Sequence, residues 1–279
     1  MSVSIAHLGP PGTYAEAATL AYIRNLAVEK GSKSLLCPYP SIAQTLYSVA
    51  QEQVDLAVVP VENSIEGSVA ITLDLLWQLD TLQIQQSLVL PIRHALLSRA
   101  STIETIKTIY SHPQALAQCQ QWLEKFLPEV QPTPTNSTTE ALHYLDKDHT
   151  AGAIASERAA ELYNLPVLAS AINDYPDNCT RFLVLGKQPS TSGSHTSLAF
   201  STPANVPGAL VKPLQVFAQR GINMSRIESR PTKRSLGEYF FFIDIEADAS
   251  ISSVKAALEE LVSYTEILKI FGSYSVLSI

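Results

Sequence analysis

Around residue 180 the chain sets a hydroxyl, a fixed cation and an aromatic ring side by side, in Asn178–Cys179–Thr180–Arg181–Phe182. A threonine can hydrogen-bond or relay a proton, a guanidinium can pair with a carboxylate, and a ring can form an apolar wall. A structural turn explains the same residues equally well. Three more segments spend polar residues where packing alone would not ask for them. Gly9–Pro10–Pro11–Gly12–Thr13–Tyr14 follows an apolar run, and Glu62, Asn63 and Ser64 close another. In Ser111–His112–Pro113–Gln114–Ala115 the proline sits where a helix would begin, leaving the next amides free for a ligand. Each can also be a plain turn.

Four hydroxyls are followed three residues later by Glu or Gln: Thr13–Glu16, Ser41–Gln44, Ser111–Gln114 and Ser137–Glu140. This is capping-box spacing, in which the hydroxyl accepts a free amide at a helix start. Strand ends feeding helix starts gather amide donors along one edge, which suits carboxylates. Capping alone explains any single case.

Other chemistries lack their motifs. There is no HExxH, GxSxG or P-loop, and no GxGxxG after the first strand. The Gly9–Gly12 turn has no lysine, and its two prolines remove amides that a phosphate loop would use. The six histidines are scattered without metal spacing, and ordinary structural roles account for them. Three distant cysteines without CxxC argue against a disulfide framework or structural zinc and fit a reducing cytoplasm. A net charge of −7 disfavours nucleic acid as a partner, though a local cation can still reverse the field for a small anion. No run of apolar residues is long enough for a membrane span, and the first residues lack a signal-peptide pattern, so a cytoplasmic location is expected.

Elements must position these residues. Up to about residue 185 apolar runs at 3–8, 55–61, 88–97, 108–111, 151–155 and 182–186 read as strands. Amphipathic stretches at 14–28, 42–51, 68–77, 114–126, 138–145 and 157–163 read as helices. That alternation is an α/β pattern. Residues 188–196 (QPSTSGSHT) form a polar linker. Beyond it, strands at 197–201, 224–229, 239–246 and 267–271 and helices at 209–220 and 252–261 give a βαββαβ order. This is the ferredoxin-like α+β arrangement, whose open sheet edges often pair with a second copy.

Read in order, GPPGTYAEAA from Gly9, VPVENSIEGSV from Val59, HALLS from His94, SHPQALAQC from Ser111 and NCTRF from Asn178 resemble the prephenate dehydratase family. GALVKPLQVFAQRGINMSRIESRP, from Gly208, is similar to that family's ACT regulatory domain. The matches run from Ala6 to Phe271.

The resemblance implies a two-lobed catalytic domain over 1–187, built like a type 2 periplasmic binding protein, with substrate between the lobes. The first lobe is expected over about 1–79 with 169–187, and the second over about 80–168, with two crossing strands as a hinge. A linker at 188–196 and an ACT domain at 197–279 complete the chain. The implied reaction removes CO2 and the ring hydroxyl of prephenate to give phenylpyruvate, on the way to L-phenylalanine, with no cofactor. Thr180 would be catalytic, Arg181 would pair with a carboxylate, and Phe182 would pack near the ring or equally in the core. Thr13, Asn63, Ser64, Ser111, Gln114 and Ser137 would line the substrate site. Gly208, Ala209, Leu210, Val211, Asn223, Glu228, Ser229, Arg230 and Pro231 would bind phenylalanine as effector, between paired ACT domains of a homodimer or homotetramer. Pro213 departs from a smooth first ACT helix and is expected to loosen its first turn. With no helical chorismate-mutase segment before Met1, the chain is expected to be monofunctional. Two alternatives stay open: the same chemistry on L-arogenate, and an amino-acid sensor without catalysis, whether regulatory or serving transport.

Overall fold

A computed structural model describes residues 2–30, 33–190 and 192–279. Thr191, inside the expected linker, lies outside the described residues. The chain begins with β1 (Ser2–Leu8), α1 (Tyr14–Lys30), β2 (Lys33–Tyr39), α2 (Ile42–Ala50) and β3 (Leu56–Asn63). β4 (Gly67–Ser68), α3 (Ala70–Gln78) and β5 (Gln83–Pro91) follow. β1 runs parallel to both β2 and β3. Its centre, Ile5–Ala6, and Ala57–Val59 of β3 are fully buried. Strands covered on both faces need such unbroken apolar runs.

The second lobe holds β6 (His94–Ser98), β7 (Thr108–Ser111), α4 (Pro113–Ala117), α5 (Gln120–Phe126) and β8 (Gln131–Pro134). β9 (Ala151–Ser156), α6 (Glu157–Tyr163) and β10 (Val167–Ala169) complete it. Its sheet has the order β10–β6–β9–β7–β8. The chain then returns as β11 (Cys179–Gly186), antiparallel to β3 on one side and β5 on the other. Both interlobe crossings, 91–94 and 169–179, thus flank β5 and β11.

These crossings correct the expected lobe limits of 79/80 and 168/169. The apolar run 88–97 is two strands in two sheets. Pro91, which cannot donate to a ladder, ends the first of them. The helix expected at 114–126 breaks into α4 and α5 around Cys119, and that at 138–145 is a 3-10 turn, Glu140–Tyr144. β2 went unforeseen because Pro38 and Pro40 punctuate its end.

The carboxyl-terminal domain contains β12 (His195–Ser201), α7 (Val211–Ala218), β13 (Met224–Pro231), β14 (Tyr239–Ile245), α8 (Ser252–Val262) and β15 (Ile267–Ser278). The sheet order is β13–β14–β12–β15. One face packs Phe200, Ile243 and Ile245 on Val216, Phe217, Ala257 and Leu261 of the two helices. The other lays Phe240, Phe242 and Phe271 on Val61, Leu73, Leu76 and Leu183 of the first lobe, with Trp77 stacked on Phe240 at 4.6 Å.

The expected boundary at 197–279 is crossed by β15. Its first part pairs with β12, and Ser275–Ser278 runs parallel to β5. Gly272 lets it pass: its φ is +117°, and a Cβ there would lie 3.2 Å from the Ile84 carbonyl oxygen. The first lobe and the carboxyl-terminal domain thereby share one ten-stranded sheet. Pro213 is accommodated without disruption. Because α7 starts at Val211, the proline falls in the first turn, where an amide has no intrahelical partner.

Candidate active site

Thr180 lies on β11 directly opposite Asn63 of β3, and Arg181 opposite Glu62. Successive side chains of a strand leave opposite faces. Thr180 and Phe182 therefore face the interlobe cleft, and Arg181 faces away from it.

A buried chain of hydrogen bonds fixes Thr180. Asn63 Nδ2 donates to Thr180 Oγ1 at 2.9 Å and to Asn178 Oδ1 at 2.9 Å. Asn63 Oδ1 accepts from the Ile65 and Glu66 amides at 3.0 and 3.1 Å, which orients its amide end toward Thr180. Asn178 Nδ2 donates to Gln118 Oε1 at 2.8 Å, and His94 Nε2 lies 3.1 Å from the same oxygen. His94 Nδ1 is 2.9 Å from the Tyr14 hydroxyl. Gln118 Oε1 can only accept, which places a proton on His94 Nε2, while the Tyr14 hydroxyl beside Nδ1 donates to the Arg93 carbonyl at 2.7 Å. Burial holds the His94 pKa below its ordinary value, and the Gln118 contact opposes that shift without cancelling it. Because Thr180 Oγ1 accepts from Asn63, its own proton remains to be donated into the cleft.

The cleft has a volume of about 970 Å³. Thr13, Asn63, Thr180 and Phe182 form one wall; Gln114, Gln118, Ser137 and His112 face them. Neither lysine nor arginine is among the described residues that line it. Hydroxyls, amides and imidazoles must therefore meet any anion. Thr13 Oγ1 accepts from the Glu16 amide at 3.3 Å and Ser137 Oγ from the Glu140 amide at 3.0 Å, so both cap as their spacing suggests. Ser41 likewise caps Gln44 at 3.2 Å.

Three expected site residues are elsewhere. Ser111, at the inward-facing end of β7, is buried and donates to the Ile154 carbonyl at 2.6 Å; His112 takes the cap, accepting from the Gln114 amide at 3.3 Å. Ser64 Oγ accepts from the Cys179 amide at 3.0 Å and holds a turn. Arg181 Nη2 contacts Asp244 at 2.6 Å and Glu62 at 3.0 Å, so it does not offer its fork to a cleft ligand. The strand begins at Cys179, earlier than residue 182, and this imposes the alternation. Phe182 serves two ends: only 2% exposed, it packs with Ile5, Val58 and Val184 while its edge floors the cleft. Sequence reasoning missed Gln118, Asn178 and His94 as members. Gln118 stands four residues after Gln114 in a segment already singled out, and that helical spacing was the available signal.

In the carboxyl-terminal domain Gly208, at φ +80°, turns the chain through Ala209 and Leu210 into α7, where Val211 is exposed. Asn223 Nδ2 donates to Glu246 at 2.8 Å. β13 splits the expected effector residues between its faces. Ser229 and Pro231 are exposed. Glu228 accepts from Ser68 Oγ at 3.1 Å, and Arg230 bonds Asp74 of α3 at 3.0 and 3.2 Å. Glu228 and Arg230 are thus contacts to the first lobe. Burial alone would raise the Asp74 pKa, but hydrogen bonds from Arg230 and Lys233 hold it low.

Among the described residues no cluster of His, Cys, Asp and Glu has the makings of a metal site. No described helix is long and apolar enough to cross a membrane.

The family model for prephenate dehydratase matches residues 5–190, and that for the ACT domain matches residues 196–263. The bifunctional chorismate mutase/prephenate dehydratase of Aquifex aeolicus is 42% identical over 98% of this chain and 73% of its own. The crystal structure of prephenate dehydratase from Arthrobacter aurescens, in complex with L-Phe, superposes with a TM-score of 0.85 at 34% identity, over 98% of this chain and 90% of that one. GqqA, described as a novel type of quorum quenching acylase, superposes at 0.79 with 30% identity, over 97% and 96% of the two chains. The cleft, with its threonine held by an asparagine, and the ferredoxin-like tail are the two parts that these matches cover, and the chain belongs to the prephenate dehydratase family with an ACT domain.

Proposed function

We propose that the interlobe cleft converts prephenate to phenylpyruvate, CO2 and water, and that the Thr180 hydroxyl assists departure of the ring hydroxyl. The supporting observation is the Asn63–Thr180 hydrogen bond of 2.9 Å, which reserves the threonine proton for the ligand. Prephenate carries two carboxylates. Losing CO2 makes its ring aromatic, which supplies the driving force. The departing hydroxide takes up one proton, and Thr180 shares or relays that proton from its buried position on the cleft wall. Neutral donors such as Gln114 and Ser137 bind the carboxylates, while Thr13, whose hydroxyl donates to the Leu8 carbonyl at 3.1 Å, caps α1 beside them. The crossings at 91–94 and 169–179 serve as a hinge. Measuring phenylpyruvate by absorbance, with Thr180→Ala and Thr180→Ser beside the unaltered chain, tests this. Turnover unchanged in a folded Thr180→Ala enzyme rejects it.

Phenylalanine is the proposed effector. Gly208–Val211, Asn223 and the outward residues Ser229 and Pro231 of β13 are the proposed binding residues. β13 ends its sheet with an edge open to a second copy, consistent with a dimer or tetramer. Calorimetry with phenylalanine and sedimentation with and without it test both points.

The likeness to an acylase gives a second reading, and the apolar stretch Pro10, Pro11, Pro38, Tyr39 and Ile42 on the cleft wall suits an acyl chain. Acyl transfer needs a base on the nucleophile. Thr180 Oγ1 instead accepts from an amide donor. Dehydration is the better-supported reading, and absence of acyl-amide hydrolysis by the pure protein is the expected result.

A further inference from the structure

Glu62, Arg181, Asp244 and Arg226 close a ring of alternating charge across the junction between catalytic and ACT domains. Arg181 Nη2 lies 3.0 Å from Glu62 and 2.6 Å from Asp244, and Arg226 completes the circuit at 3.5 and 3.8 Å. Two members come from β3 and β11, two from β13 and β14. Leu73, Leu76, Leu183 and Phe242 surround the ring, and the Asp244 and Arg226 side chains are 3% and 8% exposed. In such surroundings a complete ring is neutral, whereas loss of one member strands a charge. Ser197 Oγ also donates to Asp244, which fixes that carboxylate to β12.

What lies behind the ring gives it meaning. Glu62 and Arg181 are the cross-strand pair next to Asn63 and Thr180. The same two strands therefore present the cleft hydrogen bond on one face and half of the ring on the other. β13 is two-faced in the same way. Arg226, Glu228 and Arg230 reach the catalytic domain, while Ile227 and Ser229 are exposed on the side proposed for the effector.

We infer that this ring couples the ACT domain to the cleft, holding the Asn63–Thr180 pair in place and passing to it any shift of β13 and β14. Glu62, Arg181, Arg226 and Asp244 are then positioning residues, acting through Thr180 without touching the substrate. The effector part of this inference rests on the phenylalanine reading above; the positioning part does not.

Lying between two sites does not establish coupling, so coupling itself must be measured. The full chain, Asp244→Asn, and the charge-balanced double variant Glu62→Gln with Arg226→Gln would be compared. Melting temperature, phenylalanine binding by calorimetry, and prephenate kinetics with and without phenylalanine are read on each. Allosteric couplings in general are about 5- to 150-fold. The double variant is expected to fold and bind phenylalanine, but to respond to it by no more than about twofold. Asp244→Asn is expected to lower kcat about tenfold with KM for prephenate held, because it loosens Thr180 and not the substrate contacts. A double variant that binds phenylalanine and responds as the unaltered chain does overturns the coupling. If the double variant does not fold, the response of Asp244→Asn to phenylalanine decides it by the same criterion. If the unaltered chain binds no phenylalanine, the effector reading falls. The ring is then judged by kcat of folded Asp244→Asn, and an unchanged value overturns it.

Discussion

Thr180 and Arg181 share a peptide bond, yet their side chains end on opposite faces of one sheet, the first against Asn63 at 2.9 Å and the second against Asp244 at 2.6 Å. Substitutions at these neighbours should consequently differ in kind. If Thr180 acts as proposed, Thr180→Ala takes away one transition-state hydrogen bond and should lower kcat about 100- to 1,000-fold. Arg181→Lys keeps a charge but loses the planar fork that sets Nη2 between Glu62 and Asp244. It should lower kcat or thermal stability while KM for prephenate stays within about twofold. A tenfold rise in KM with stability intact would return Arg181 to the substrate site.

Asn63 contributes its amide end to Thr180 and its carbonyl end to the Ile65 and Glu66 amides. Asn63→Asp keeps the second role and reverses the first. The Thr180 hydroxyl would then donate to the new carboxylate, and its proton would be lost to the leaving group. We expect kcat to fall by about tenfold or more, together with a lower melting temperature, because the buried carboxylate would also face Asn178 Oδ1 and the Cys179 carbonyl. Asn63→Asp turning over at the original rate would remove the amide from the mechanism.

The sequence exposed the segments that form the cleft but not which of their side chains face it. Hydroxyls, prolines and capping spacings marked the segments of Thr13, Asn63, Gln114, Ser137 and Thr180, but a turn or a cap fitted each equally well, and only the resemblance to a family implied a substrate site there. Arg181 misled for a reason of period. With the strand expected to begin at residue 182, the three residues of Thr180–Arg181–Phe182 looked like one presenting loop. Starting it at Cys179 sends alternate residues to opposite faces. Likewise, β15 looked like the last strand of an independent domain. Only tertiary pairing of Ser275–Ser278 with β5 reveals that both domains share a sheet. Long-range pairings of that kind leave no local pattern.

Ser111 separates a structural role from a catalytic one. Its hydroxyl is buried and spans from β7 to β9 by donating to Ile154. Ser111→Ala leaves that carbonyl without this donor and should cost about 1–3 kcal/mol of stability. Urea unfolding should show the loss, while KM for prephenate should not move. A KM change at unaltered stability would put Ser111 in the cleft after all.

Three buried or half-buried imidazoles should make stability depend on pH. Burial lowers the pKa of His7, His94 and His112; backbone contact to Leu8 opposes this at His7, and Gln118 opposes it at His94. Unfolded imidazoles take up protons near pH 6.5, whereas these three resist. Below that pH the unfolded chain binds more protons than the folded one, so the free energy of unfolding rises with pH there and levels off above it. The urea midpoint should therefore drop between about pH 7.5 and about pH 5.5, a window in which ordinary carboxylates stay ionised. His94→Gln removes one of the three titrating groups and should flatten the drop. If the midpoint of the unaltered chain is the same at both pH values, or if His94→Gln leaves the slope as steep, burial beside the cleft does not hold His94 neutral.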